Sequence, residues 1–163
     1  MIEAVIFDLD GTLIHLPIDY ERLIREFEKI AHAESFHPLL EAVSKLDEAT
    51  RGQVFKIWDL AEHAAAPKMT VNQEGMKLYD FFAKKPKALV TMQGKALVAA
   101  MLEKLGLTFD VVLTREDSLN MAEQLKIAAQ KLSARLENVL FVGNSENDAI
   151  AAKQVMCQFQ RMK

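Results

Sequence analysis

The sequence predicts an α/β protein: a doubly wound parallel sheet with an all-helical segment inserted after its first strand. Three observations lead there. Short apolar, β-branched runs of strand length end in Asp, Thr or Gly; amphipathic stretches of helical period lie between them; and the first run is followed by a long stretch with helical period alone. Ala4 to Phe7 reads as a fully buried strand, closed by Asp8 and Asp10 and broken by Gly11. Pro17 removes a backbone donor, and from Tyr20 the set Leu23, Ile24, Phe27, Ile30 and Ala31 recurs at helical spacing. Leu39, Leu40, Val43 and Leu46 continue it. Val54, Trp58, Ala61 and Ala65 extend it to Pro67, and Met76, Tyr79 and Phe82 follow. Residues 14–86 therefore read as one all-helical insertion, a cap, with residues 1–13 and 87–163 forming the α/β core.

Beyond Pro86 strands return. Ala88 to Val90 is a buried strand ending at Thr91, and Leu97, Met101 and Leu105 mark a helix stopped by Gly106. Val111 to Leu113 is the next strand, and Leu125, Ala128, Ala129 and Leu132 the next helix. Val139 to Val142 ends at Gly143, a last helix lies near Ala149 to Val155, and Cys157 to Phe159 reads as a short edge strand. Strands alternating with helices imply a parallel sheet covered on both faces.

Composition narrows the function. In 163 residues, 20 Lys and Arg stand against 23 Asp and Glu, a formal charge of -3, so the basic face that nucleic acid needs is missing. The longest purely apolar stretch, Ala96 to Leu102, is far below the roughly 18 residues of a membrane span. Cys157 is the only cysteine, which excludes an intrachain disulfide and favours a reducing compartment, and Met1 and Ile2 run straight into strand-like sequence without a basic start. The expectation is a cytoplasmic protein with neither nucleic-acid nor membrane partners.

The sharpest local signal is Phe7-Asp8-Leu9-Asp10-Gly11-Thr12-Leu13. Period two would place both carboxylates on one side of an extended chain, about 6.6 Å apart, where they repel by roughly 2.5 kcal/mol at an effective dielectric near 20. A divalent cation between them would reverse the sign. The other reading of the pair is a simple turn closing the strand.

This heptapeptide resembles the signature of the haloacid dehalogenase-like (HAD) phosphatases, and the helical cap after strand one resembles that superfamily too. The fold implied is a HAD-like Rossmannoid sheet. The resemblance implies that Asp8 is a nucleophile forming an aspartyl-phosphate, and that Asp10 protonates the leaving oxygen and then activates water. It also implies Mg²⁺, held by the Asp8 carboxylate, the Asp10 main-chain carbonyl and an acidic loop matching Gly143-Asn144-Ser145-Glu146-Asn147-Asp148. Thr91 falls where the superfamily places a hydroxyl on the phosphoryl group, although it also reads as a cap for the helix near Gly94. Asp148 likewise reads as half of a capping box with Ser145.

Three positions depart from the superfamily pattern. Met92 replaces an Asn, Asn144 replaces an acid and so weakens the hold on Mg²⁺, and Met121 stands where a Lys or Arg would steady the phosphate. Lys126 could supply that charge if its helix starts late; Lys95 and Arg115 are further candidates, each reading more readily as solvated surface. Cys157 and Arg161 are too close for a cysteine-phosphatase loop, and His15, His32, His37 and His63 share no ligand spacing. The expected activity is hydrolysis of small phosphorylated metabolites. The alternative is a catalytically weakened relative that binds a phosphorylated ligand or a partner protein, and an apolar cap face would also suit a homodimer.

Overall fold

The computed structural model describes all 163 residues. Along the chain, β1 (Ala4–Phe7) is followed by β2 (Ile14–His15), α1 (Tyr20–Ala31), α2 (Leu39–Ser44), α3 (Glu48–Ala65), β3 (Thr70–Val71) and α4 (Gln73–Phe81). Then come β4 (Lys87–Val90), α5 (Lys95–Leu105), β5 (Val111–Leu113), α6 (Met121–Lys131), β6 (Val139–Gly143), α7 (Glu146–Val155) and β7 (Gln158–Arg161). Five strands form one parallel sheet in the order β5-β4-β1-β6-β7. The chain winds outward from β1 through β4 to β5, then returns past β1 to β6. β1 thus lies at the reversal, beside which a doubly wound sheet opens a crevice at its carboxyl ends.

The pleat sorts the buried strand residues into two layers. Val5, Phe7, Leu89 and Val142 face α5 through Leu97, Val98 and Met101, with Met76 and Tyr79 of α4 packed on the same cluster. Ala4, Ile6, Ala88, Val90 and Phe141 face the opposite way, onto Leu125, Ala128 and Ala129 of α6 and Ala151, Ala152 and Val155 of α7. Within the insertion, Leu23, Phe27, Phe36, Val43, Val54 and Trp58 form a core of their own, with the Phe27 and Trp58 rings 5.6 Å apart. Asp19 and Asp47 start the insertion's two long helices by accepting the N–H groups of Arg22 and Thr50.

The insertion is not helical throughout. β2 and β3 pair antiparallel as a two-stranded ribbon, and α4 lies on the sheet cluster rather than on the cap. Two-residue strands are too short to display a period of two, and an apolar helical stripe is the same whether it meets a cap or a sheet. Two further boundaries differ. α7 begins at Glu146, one turn before the apolar stripe, because Ser145 and Asp148 form a complete capping box. β7 starts after Cys157, whose N–H closes the preceding helix on the Ala152 carbonyl and whose thiol is half-buried. No helix is long and apolar enough to cross a membrane.

Candidate active site

β1 delivers Asp8 to the carboxyl edge of the sheet, where its N–H donates to the Val142 carbonyl at 3.0 Å. The chain does not stay extended beyond it. The N–H groups of Thr12, Leu13 and Ile14 converge on the Leu9 carbonyl at 3.2, 2.9 and 3.2 Å, and Gly11 takes φ +85°. Strand alternation therefore fails past Asp8, and a tight wrap carries Asp10 onward instead. The Asp10 carboxylate accepts the Leu16 N–H at 2.9 Å, which ties it to the end of the ribbon. Gly11 is required twice over: its φ suits glycine, and a Cβ there would overlap the Asn144 side chain.

Asn144 follows β6, the neighbour of β1, and its amide thus lies against the Asp8-to-Thr12 loop. Asp148 is buried on the first turn of α7, accepting the N–H groups of Asn144 and Ser145 at 3.0 and 3.2 Å. Asp148 completes the capping box of α7 and also faces Asp8. Burial pushes the Asp8 carboxyl well above its ordinary range, the neighbouring Asp148 and Asp10 charges add to that, and the Leu9 N–H opposes it. Asp10 is raised too, chiefly by burial, with the Leu16 N–H and His15 acting against it. None of the ion pairs in the chain reaches Asp8, Asp10 or Asp148.

Thr91 lies at the end of β4, on the other side of β1, and is fully buried. Its hydroxyl does not cap α5. It accepts the Gln93 N–H at 3.1 Å and bonds the Gln93 side chain, whose amide reaches the Tyr20 hydroxyl at 3.4 Å. Tyr20 opens α1, and burial together with the Asp10 charge pushes its phenol up to about 12. Behind Thr91, the Gln124 side-chain NH₂ donates to the carbonyls of Thr91, Thr114 and Ser118 at 3.0, 3.0 and 2.9 Å, stitching together the ends of two strands.

The expected basic residues fall elsewhere. α6 starts at Met121, with Asn120 as its cap, so the late start that Lys126 needs does not occur; Lys126 is exposed and bonds to none of the other site residues. Lys95 is exposed as expected. Arg115, expected at the surface, has no exposed side-chain area and pairs with Glu62 and Asp59 of α3. Two carboxylates and a Trp58 ring replace its hydration, which is why a charge can sit there. Tyr20, Gln93, Gln124, Glu62 and Asp59 were not among the expected site residues. Glu62 did leave a signal: it follows Trp58 by four residues and so puts a charge on the apolar stripe of α3.

No group of three or more His, Cys, Asp and Glu side chains is arranged to hold a metal ion. The donor chemistry nonetheless fits a hard one. Asp8 and Asp148 are two buried carboxyl groups in contact with no Lys or Arg paired to either, and the Asn144 amide beside them offers a further oxygen. Two acids rather than three would hold such an ion weakly.

A doubly wound sheet with acidic side chains at its switch point defines the class: an α/β protein whose ligand crevice lies at the carboxyl ends of its strands. The particular fold is that of the haloacid dehalogenase-like hydrolases. A HAD-like hydrolase from Streptococcus pneumoniae superposes with a TM-score of 0.72 at 18% identity, covering 99% of this chain and 85% of its own. A HAD family enzyme from Bacteroides thetaiotaomicron, in complex with magnesium and inorganic phosphate, gives 0.63 at 16% identity, covering 100% and 95%. In sequence, the chain is 24% identical to pyrophosphatase PpaX of Oceanobacillus iheyensis, over 96% of this chain and 81% of that protein. No family model matches.

Proposed function

We propose that the chain is a Mg²⁺-dependent phosphohydrolase of small phosphate monoesters that works through a phosphoaspartate at Asp8. One observation carries the reading. Asp8 is a buried carboxylate with no basic partner, at the switch point, between the strand ends that bear Thr91 and Asp148. The pyrophosphatase relative and the phosphate-bound neighbour support the same class of substrate.

The Asp8 oxygen attacks phosphorus and the bond to the leaving oxygen breaks, with Asp10 delivering the proton that oxygen needs. The raised Asp10 carboxyl is suited to hold that proton. Water then attacks the aspartyl-phosphate, Asp10 takes its proton, and phosphate leaves with Asp8 restored. Asp8, Asp148, Asn144 and the Asp10 carbonyl would hold Mg²⁺, whose charge offsets the crowding of anions. Thr91 would bond the phosphoryl oxygens in place of Gln93.

The test is turnover of p-nitrophenyl phosphate and pyrophosphate with and without Mg²⁺. Turnover should require the metal, and Asp8→Asn should abolish it with the melting temperature retained; a D8N variant that still turns over ends the proposal. The absence of any basic side chain bonded to the site residues, with Asn144 in an acid's place, favours one second reading, a weakened relative that binds phosphorylated ligands. That reading expects no turnover but a rise in melting temperature with phosphate esters.

A further inference from the structure

Arg115 directly follows β5 and Thr114, yet its guanidinium is wrapped by the cap. Nη1 donates to Glu62 Oε2 at 2.7 Å and to the Met92 carbonyl at 3.2 Å, and Nη2 donates to Glu62 Oε1 at 3.0 Å and to Asp59. The guanidinium carbon stands 4.4 Å from the centre of the Trp58 ring and 5.5 Å from that of Phe55. Asp59, Glu62, Trp58 and Phe55 all belong to α3. Glu62 also holds the start of α5, because its two oxygens accept the Gly94 N–H at 3.1 and 3.3 Å. Gly94 opens α5 without a capping side chain, and a Cβ there would strike Asp59, Arg115 and Glu62.

The segment 91–94 is therefore tied to α3 at two of its four residues, Met92 through Arg115 and Gly94 through Glu62. The other two, Thr91 and Gln93, bond each other, and Gln93 reaches back to Tyr20 of α1. A bidentate fork fixes orientation as well as distance, so the seating of α3 is transmitted to this loop as a defined geometry. A loop that must aim one hydroxyl at a reacting phosphorus depends on such support.

We propose that Arg115 is a positioning residue: with Glu62 it latches α3 onto the 91–94 loop, so that cap and sheet act as one body and the cap sets the aim of the Thr91 hydroxyl. The kinetic consequence rests on the phosphohydrolase reading; the conformational consequence rests on the geometry alone.

The variants are Glu62→Gln, which keeps the shape but turns one acceptor oxygen into a donor and so breaks the two-pronged fork, and the double change Glu62→Gln with Arg115→Gln, which removes both buried charges of the pair together. Hydrogen exchange of the full chain should speed up by about tenfold or more at residues 91–95 and 54–65 in both variants, while β1 keeps its protection. With p-nitrophenyl phosphate and Mg²⁺, kcat per folded molecule, with the folded fraction read from circular dichroism, should fall by about 100-fold with KM changed by less than about threefold. Arg115→Lys alone should lose kcat as well, since an ammonium cannot make the fork. A folded double variant with wild-type exchange at 91–95, or with wild-type kcat, overturns the latch. Should the wild type turn over no ester at all, the phosphohydrolase reading falls and the exchange result alone decides the latch.

Discussion

Asp8 holds its proton more tightly than an exposed aspartate, because burial and the Asp148 charge both penalise its anion. A carboxyl raised on folding favours the folded state fully below its ordinary value of 3.8, and that contribution is lost as pH climbs from there through the raised value. A divalent ion competes with the proton for the same oxygens. The stabilisation of the protein by Mg²⁺, read as a shift in melting temperature, should therefore grow from mildly acidic to mildly alkaline buffer. It should be larger at every pH in Asn144→Asp, which adds a third acid. A Mg²⁺ shift that is flat with pH would remove Asp8 from the ligand set. Asp8 and Asp10 stood out in the sequence because two closely spaced acids before a glycine are costly without a purpose, whereas Asp148 stood out only through the superfamily resemblance. Arg115 did not, because its partners lie more than fifty positions away on a helix whose docking no local pattern encodes.

Among the elements, α4 shows how closely the chain after Asp10 is packed. Gly75 is buried against the wrap: a Cβ at that position would overlap the Thr12 carbonyl, and the Asn72 N–H bonds the Leu13 carbonyl at 2.9 Å. Gly75→Ala should gain helix propensity of about 1 kcal/mol yet lose more by overpacking, for a net destabilisation on the order of 1–2 kcal/mol in urea titration. Gly52 is helical too but has open space around it, so Gly52→Ala serves as the control and should stabilise. The five sheet strands and the helices of the core could be read from apolar runs and their punctuation. The β2–β3 ribbon could not, since Ile14 and Thr70 lie far apart in sequence and each strand spans only two residues.

For the whole molecule, what matters is convergence. β4, β1 and β6 are adjacent and parallel, and each leads into a residue that the proposed chemistry needs: Thr91, Asp8, and the loop to Asp148. A doubly wound parallel sheet was expected from the alternation of strands and helices, and the sheet is one, with β1 between β4 and β6. The division of the insertion was less legible, because α1 and α3 make a separate core while α4 serves the sheet.

The solitary thiol near the carboxy terminus turns this architecture into something measurable. Burial pushes the Cys157 thiol up to about 11, so at neutral pH only about one molecule in ten thousand carries the reactive thiolate. Release from the fold restores an ordinary acidity and should quicken alkylation by about a hundredfold from ionisation alone. Labelling that tracks the fraction unfolded would make the residue an internal clock for the peeling of β7 from its neighbour; rapid modification of the native state would show that this margin of the sheet breathes on its own.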